Sequence, residues 1–406
     1  MVVYLDHAAT TPMLPNAIRA YADALGVVGN PASIHSQGQA AKRMLEEARE
    51  QIAATLGCDP IEVVLTSGGT EAINLALKGI WWSRNRNAAR PVILAPGGEH
   101  HATIDTLEWL QQHEGAEIGW LPLDDDGLVH SDAVQAAFDR YGDRVALVTL
   151  LWANNEVGTI EPVTEIAALA AAHGVPVHVD AVAAYGHLET DFSAVRDASG
   201  SVGGAGLVAM SVSAHKIGGP VGVGALVLSR SASIEPLLHG GGQQRQVRSG
   251  TQDVAGAVSF AVAATHAALH RDDEAARLAA LRDRLIDGIL TAVPAARLNG
   301  PSGPGRLPGN VHFAFAGCEG DSLLFLLDMA GVSVSTGSAC QAGIPEPSHV
   351  LRAMGRSELE ARGALRVTLG HTTTGDDVNA LLAALPGAYA QASRAGLADR
   401  ATTLGS

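Results

Sequence analysis

Between residues 63 and 228 the chain alternates short apolar runs with stretches of helical periodicity, which restricts its fold more than any other feature. Val63-Val-Leu-Thr66, Val92-Ile-Leu-Ala95, Ile118 to Leu121, Val145 to Trp152, Val175 to Asp180, Leu207 to Val212 and Gly224 to Ser229 read as strands. Helices are predicted from Glu99 to about His113, from Asp132 to Arg140 and from Thr164 to His173. Repeated strand–helix order predicts an α/β fold, a mostly parallel sheet with helices on both faces. Ligands of such sheets bind beyond the carboxyl ends of the strands. Gly69-Thr70, His100, Asn155, Asp180 and Lys216 fall at or just after those ends, so the fold can bring them together.

At 406 residues the chain is too long for one ordinary core. The expected division is a large domain over 13–262 and a smaller α+β domain made of 1–12 and 263–406. Residues 1–12 read as an extended arm. A helix from Pro15 to about Leu25 and a longer one to about Leu56 follow, with Met44, Leu45, Ala48, Ile52 and Leu56 on one face. The Gly/Ser-rich stretch from Asp191 to Leu207 reads as a flexible loop, and 239–251 as a flexible basic segment able to reach an anion across an interface. A strongly helical region over about Val254 to Val293 bridges to the second domain. There a strand over Gly309–Phe315, a helix over Asp321–Met329, a loop at about 335–348, a strand containing Arg366 and a last helix to about Ala395 are predicted.

A formal charge of −15 argues against direct binding to nucleic acid or an anionic membrane. Three scattered cysteines, Cys58, Cys318 and Cys340, offer neither a disulfide framework nor a metal site. No signal peptide or membrane-length apolar run is read, so a cytoplasmic location is expected.

Lys216 ends an apolar strand and precedes a Gly-Gly-Pro turn. A lysine held against the interior has a lowered pKa and suits a Schiff base, although a lone Ser-Ala-His-Lys is more often a surface lysine. After Val63–Thr66, Gly68-Gly69-Thr70 opens a helix whose first amides form an anion site, a common turn on its own. If Lys216 holds pyridoxal phosphate, the other groups gain roles. Asp180 suits the pyridine nitrogen, His100 the ring face and proton transfer, and Gly69-Thr70 with Ser213 and His215 the phosphate. Asp180 alone could equally cap a turn. The planar fork of Arg366 suits an amino-acid carboxylate, with a structural ion pair as the alternative. Cys340, in a Gly/Ser loop bounded by Pro345 and Pro347, is placed for nucleophilic attack, whereas Cys318 reads as structural.

Leu5-Asp-His-Ala-Ala-Thr-Thr-Pro12, Gly29-Asn-Pro-Ala-Ser33, Thr66-Ser-Gly-Gly-Thr-Glu71, Glu99-His100, Asn154-Asn-Glu-Val-Gly158, His178-Val-Asp180, His215-Lys216, His239-Gly-Gly-Gly242, Arg248-Ser-Gly-Thr251, Ser338-Ala-Cys340 and Arg366 span nearly the whole chain. In these motifs the sequence resembles cysteine desulfurases of the NifS/IscS type, in the fold-type I, class V aminotransferase group of pyridoxal-phosphate enzymes. The resemblance implies that L-cysteine displaces Lys216 from the cofactor while Asn155 and Arg366 hold its carboxylate. Lys216 and His100 then move protons, and the Cys340 thiolate takes the substrate sulfur as a persulfide with release of alanine. It also implies a homodimer with Thr251 on the neighbouring subunit's phosphate, and a sulfur-acceptor or scaffold protein as partner. The sulfur would serve iron–sulfur cluster assembly, tRNA thiolation or a sulfur metabolite. The sequence departs from the family at Ala183, where a glutamine usually contacts the cofactor's phenolic oxygen, at Ala214 for glycine, and at Gln244 for glutamate. A selenocysteine or cysteine-related lyase, or a degenerate non-catalytic homologue, are the competing readings.

Overall fold

The computed structural model describes residues 2–337 and 347–398. Its twelve strands are β1 (Val3–Tyr4), β2 (Val63–Thr66), β3 (Val92–Pro96), β4 (Glu117–Leu121), β5 (Val145–Leu151), β6 (Pro176–Asp180), β7 (Gly206–Ser213), β8 (Gly224–Leu228), β9 (Ala296–Leu298), β10 (Asn310–Phe315), β11 (Val332–Ser333) and β12 (Ala364–Thr368). Seven of them form one sheet in the order β2-β8-β7-β6-β5-β3-β4. The five from β7 to β4 are parallel, and β8 runs antiparallel to both of its neighbours. Side chains alternate between the two faces of this sheet, which together make the first core: Val92 and Leu94 pack on one face, Ile93 and Ala95 on the other. Apolar residues therefore dominate the central strands on both faces, because both faces are covered by helices.

A second core surrounds a three-stranded antiparallel sheet ordered β12-β10-β9. The N-terminal arm reaches it as β1 pairs in parallel with β11, Val3 opposite Val332. One helix, Val254–Ala292, touches both cores. Phe260, Ala261 and Ala264 pack beneath the seven-stranded sheet, while Leu278, Leu285 and Ile289 belong to the second core. Its 39 residues span about 58 Å. Asp253 caps it by accepting from the Gly256 amide at 2.8 Å.

Two predicted loops are more ordered than expected. Within 191–207 a helix, Phe192–Ala198, forms because Asp191 caps it (Ala194 N to Oδ1, 2.7 Å) and Phe192 is fully buried. Arg196 lies 5.7 Å from the Phe192 ring and donates to the Leu207 carbonyl, fastening the segment to β7. Segment 239–251 is clipped to β2 by Gln244, whose Oε1 accepts from Leu65 N (2.7 Å) and whose Nε2 donates to Leu65 O (2.8 Å). A glutamate there would lack the donor. Arg248 of this segment forms a fork on Glu71, at 2.8 and 3.2 Å, instead of standing free for an anion.

Candidate active site

The carboxyl edge of the parallel strands opens into a cavity of about 900 Å³. Its wall includes Gly69, Thr70, His100, Asn155, Asp180, Ser213, His215, Lys216 and Arg366. Of the other residues singled out from the sequence, Thr251 is exposed and does not line the cavity. Cys340 lies outside the described residues.

Lys216 ends a short turn after β7, and its Nζ donates to the carbonyls of Ala8 and, at 2.9 Å, Ala9. Burial and then the positive charge of Arg366 lower its pKa to about 8, against the pull of Asp6 and Asp180. About a tenth of the amine is thus neutral at pH 7. Asp180 ends β6, 2% exposed, and accepts from the Val182 amide at 2.9 Å. Burial raises its pKa to about 6, so it is largely ionised at pH 7. Behind it His178, also on β6, bonds Thr149 (2.9 Å) and Ser211 (2.8 Å) across the neighbouring strands and fills the interior.

His100 is the N-cap of the helix His101–Glu114, and its Nδ1 accepts from the Ala102 amide at 3.0 Å. Burial, then the positive charge of Lys216 and, less strongly, of Arg366, lower its pKa to about 4. It is therefore neutral at pH 7, and the Ala102 bond assigns its proton to Nε2, which makes it a donor towards the cavity. Arg366, on β12, donates to Asn155 O (3.0 Å) and to Asp6 Oδ1 (3.0 Å). His215, held by Thr10 at 3.2 Å, is likewise neutral, its pKa lowered to about 4 by burial and Lys216.

Several residues of the site were not singled out from the sequence. Asp6 was read only as part of a polar arm, yet it pairs with Arg366 and biases Lys216. His101 lines the cavity and tilts against His349 at 4.5 Å between ring centroids. His7, His187 and His371 also line the cavity wall. A run of Asp-His-Ala-Ala was the available sign for Asp6 and His7; no local pattern marks the others. Among the described residues no group of three or more His, Cys, Asp or Glu is arranged for a metal ion.

The aminotransferase class-V family model matches residues 3–381. Over 98% of both chains the sequence is 52% identical to an IscS-like cysteine desulfurase of Mycobacterium tuberculosis. It is 40% identical to the cysteine desulfurase IscS of Dictyoglomus turgidum, covering 93% of this chain and 92% of the other. Among solved structures, a NifS-like protein superposes with a TM-score of 0.86 at 31% identity, over 96% of this chain and 100% of that one. DndA from Streptomyces lividans gives 0.73 at 32% identity, over 90% and 99%. The chain belongs to the class-V aminotransferase family, in its cysteine desulfurase group.

The cofactor of this family is pyridoxal 5′-phosphate, and the cavity fits it. The helix Gly69–Asn85 starts without a side-chain cap, so its first amides are free for an anion. Gly68 supports that turn at φ +142°, a conformation side chains disfavour. Beside it Ser213 Oγ is buried without a partner, an unmet hydroxyl that could donate to a phosphate. Asp180 supplies an anion for a ring nitrogen, and Lys216 an amine. Asn155 Oδ1 and Arg366 Nε are also buried and unpartnered. At Ala183 there is no donor, and Tyr185 does not replace it: that side chain is buried and its hydroxyl bonds Thr55 at 2.6 Å.

Proposed function

We propose that this cysteine desulfurase moves the sulfur of L-cysteine onto Cys340 as a persulfide, releases L-alanine, and hands the sulfur to a protein acceptor. The reading is carried by one observation: the buried Lys216 amine shares a single cavity with the Asp180 carboxylate and the Arg366 fork, both of which act on its charge. Pyridoxal phosphate supplies the electron sink that makes the substrate's α-proton acidic. Gly69, Thr70, Ser213 and His215 would hold its phosphate, Asp180 its ring nitrogen and His100 its ring face. Arg366 and Asn155 bind the substrate carboxylate, which fixes the orientation of the α-carbon. Lys216, neutral in part at pH 7, takes and returns the α-proton, and His100 donates a hydrogen bond from Nε2. The Cys340 thiolate attacks the substrate's sulfur: an S–S bond forms as the C–S bond breaks, and its electron pair stays with the carbon fragment, which is protonated to alanine.

A homodimer belongs to this reading. The exposed Thr251 is carried on a segment fastened by Gln244 and Arg248, which suits it to contact a second subunit. The division into 13–262, and 1–12 with 263–406, is supported by the two separate cores that meet along the helix Val254–Ala292. A cytoplasmic location is also part of the reading; among the described residues no helix is long and apolar enough to cross a membrane. The reading admits three classes of sulfur acceptor, a scaffold for iron–sulfur clusters, a tRNA-thiolating protein and a metabolite-forming enzyme, and delivery assays with each class decide among them.

The test is the absorption spectrum of purified protein before and after L-cysteine and a reductant, with sulfide and alanine assayed together. Equimolar products that vanish in Cys340→Ala are expected. Alanine released from L-selenocysteine but not from L-cysteine would assign the lyase reading instead. Absence of a visible cofactor band would assign the degenerate one.

A further inference from the structure

We infer that Glu99 works as a neutral carboxylic acid that positions His100 against the end of β5. Glu99 is 2% exposed and lies between the end of β3 and the His100 cap. Its Oε1 accepts from the Leu151 amide at 3.0 Å. Its backbone carbonyl accepts from His349 Nε2 at 2.7 Å, and the neighbouring Gly98 carbonyl accepts from Asn154 Nδ2 at 2.9 Å. Residues 98–100 are thereby sewn to the segment 151–154 that leads into Asn155, so one side chain couples the places of two cavity groups.

Glu99 Oε2 is buried with no hydrogen-bond partner. An ionised carboxylate with a bare buried oxygen is far costlier than a neutral acid with the same contacts. The ionisable groups acting on it are the acids Asp180 and Glu161, with no cation among them. Burial and these two carboxyls push its pKa well up. A neutral Glu99 leaves Asp180 as the anion under the cavity, whereas a charged one would oppose Asp180's ionisation.

The link to catalysis rests on the desulfurase reading; the protonation state does not. Full-length Glu99→Gln and Glu99→Ala are compared with the parent protein. With the cofactor bound, Glu99→Gln should keep kcat within about twofold and leave the pH profile in place, while Glu99→Ala should lose roughly tenfold to a hundredfold in kcat with little change in KM. In thermal melts of cofactor-free protein, an acid whose folded pKa lies above its unfolded one contributes stability at low pH and loses it as pH rises. The melting advantage of Glu99→Gln over the parent should therefore grow from about pH 5 to about pH 9. An advantage that shrinks or reverses over that range, or a Gln variant as impaired as Ala, overturns the inference. If Glu99→Ala does not fold, the Gln comparison alone decides. A failed desulfurase assay would leave the melting comparison standing.

Discussion

The amine of Lys216 lies among three charged side chains whose signs set the pH at which it becomes a nucleophile. Arg366 lowers its pKa, and Asp6 and Asp180 raise it. Cofactor uptake by stripped protein needs the neutral amine, so it should rise with pH through about 8. Arg366→Ala removes the repulsion and should move this profile to higher pH. Asp6→Asn frees the Arg366 charge and should move it lower; shifts in the same direction would mean that the pair does not govern Lys216. Arg366→Ala should also raise KM for L-cysteine by about tenfold to a hundredfold, the loss of a charge-assisted pair to the carboxylate. At Ala183 the cavity wall lacks a donor beside Asp180. Ala183→Gln should raise kcat several-fold, and an unchanged rate in steady-state assays would remove this position from the reaction.

Among elements, the clip on β2 shows how a side chain substitutes for a strand. Gln244 pairs with both backbone groups of Leu65, which is 6% exposed, and residues 244–246 adopt positive φ to place it. Gln244→Ala leaves a buried N–H and C=O unmet and should cost about 1–3 kcal/mol in chemical denaturation. The parallel strands were readable from sequence because apolar runs covered on both faces have few other homes. Lys216, Asp180 and His100 were readable because they sit at the ends of those runs. Asp6 was not, since its meaning comes from Arg366, 360 residues away. The helix Phe192–Ala198 was missed for a different reason: Gly and Ser after residue 198 set the character of the stretch, while one cap and one buried phenylalanine decide its first half. Gln244 and Arg248 were read as free for the same cause, their partners Leu65 and Glu71 being remote in sequence.

Across the whole molecule, the site is assembled from both cores. Lys216 and Asp180 ride on the seven-stranded sheet, Arg366 on β12, and the arm carrying Asp6, Ala8 and Ala9 bonds to both. The relative placement of these parts depends on Val254–Ala292 being one continuous helix, since it packs against the helices Pro15–Leu25 and Ser36–Leu56 and also against Gly375–Ala398. Leu269, near its middle, is 75% exposed and belongs to neither core. Leu269→Pro therefore leaves the cores intact but deletes a helical hydrogen bond and adds a steric clash, at a cost of about 3 kcal/mol or more. A bend there moves β12 relative to β7, and a displacement of even about 1 Å between Arg366 and Lys216 lowers turnover by as much as a hundredfold. Denaturant unfolding followed by far-ultraviolet dichroism should separate into two transitions in Leu269→Pro, with Leu269→Ala behaving as the parent. A single unshifted transition with full activity would mean that the arm and the sheet contacts, not the helix, hold the two cores in register.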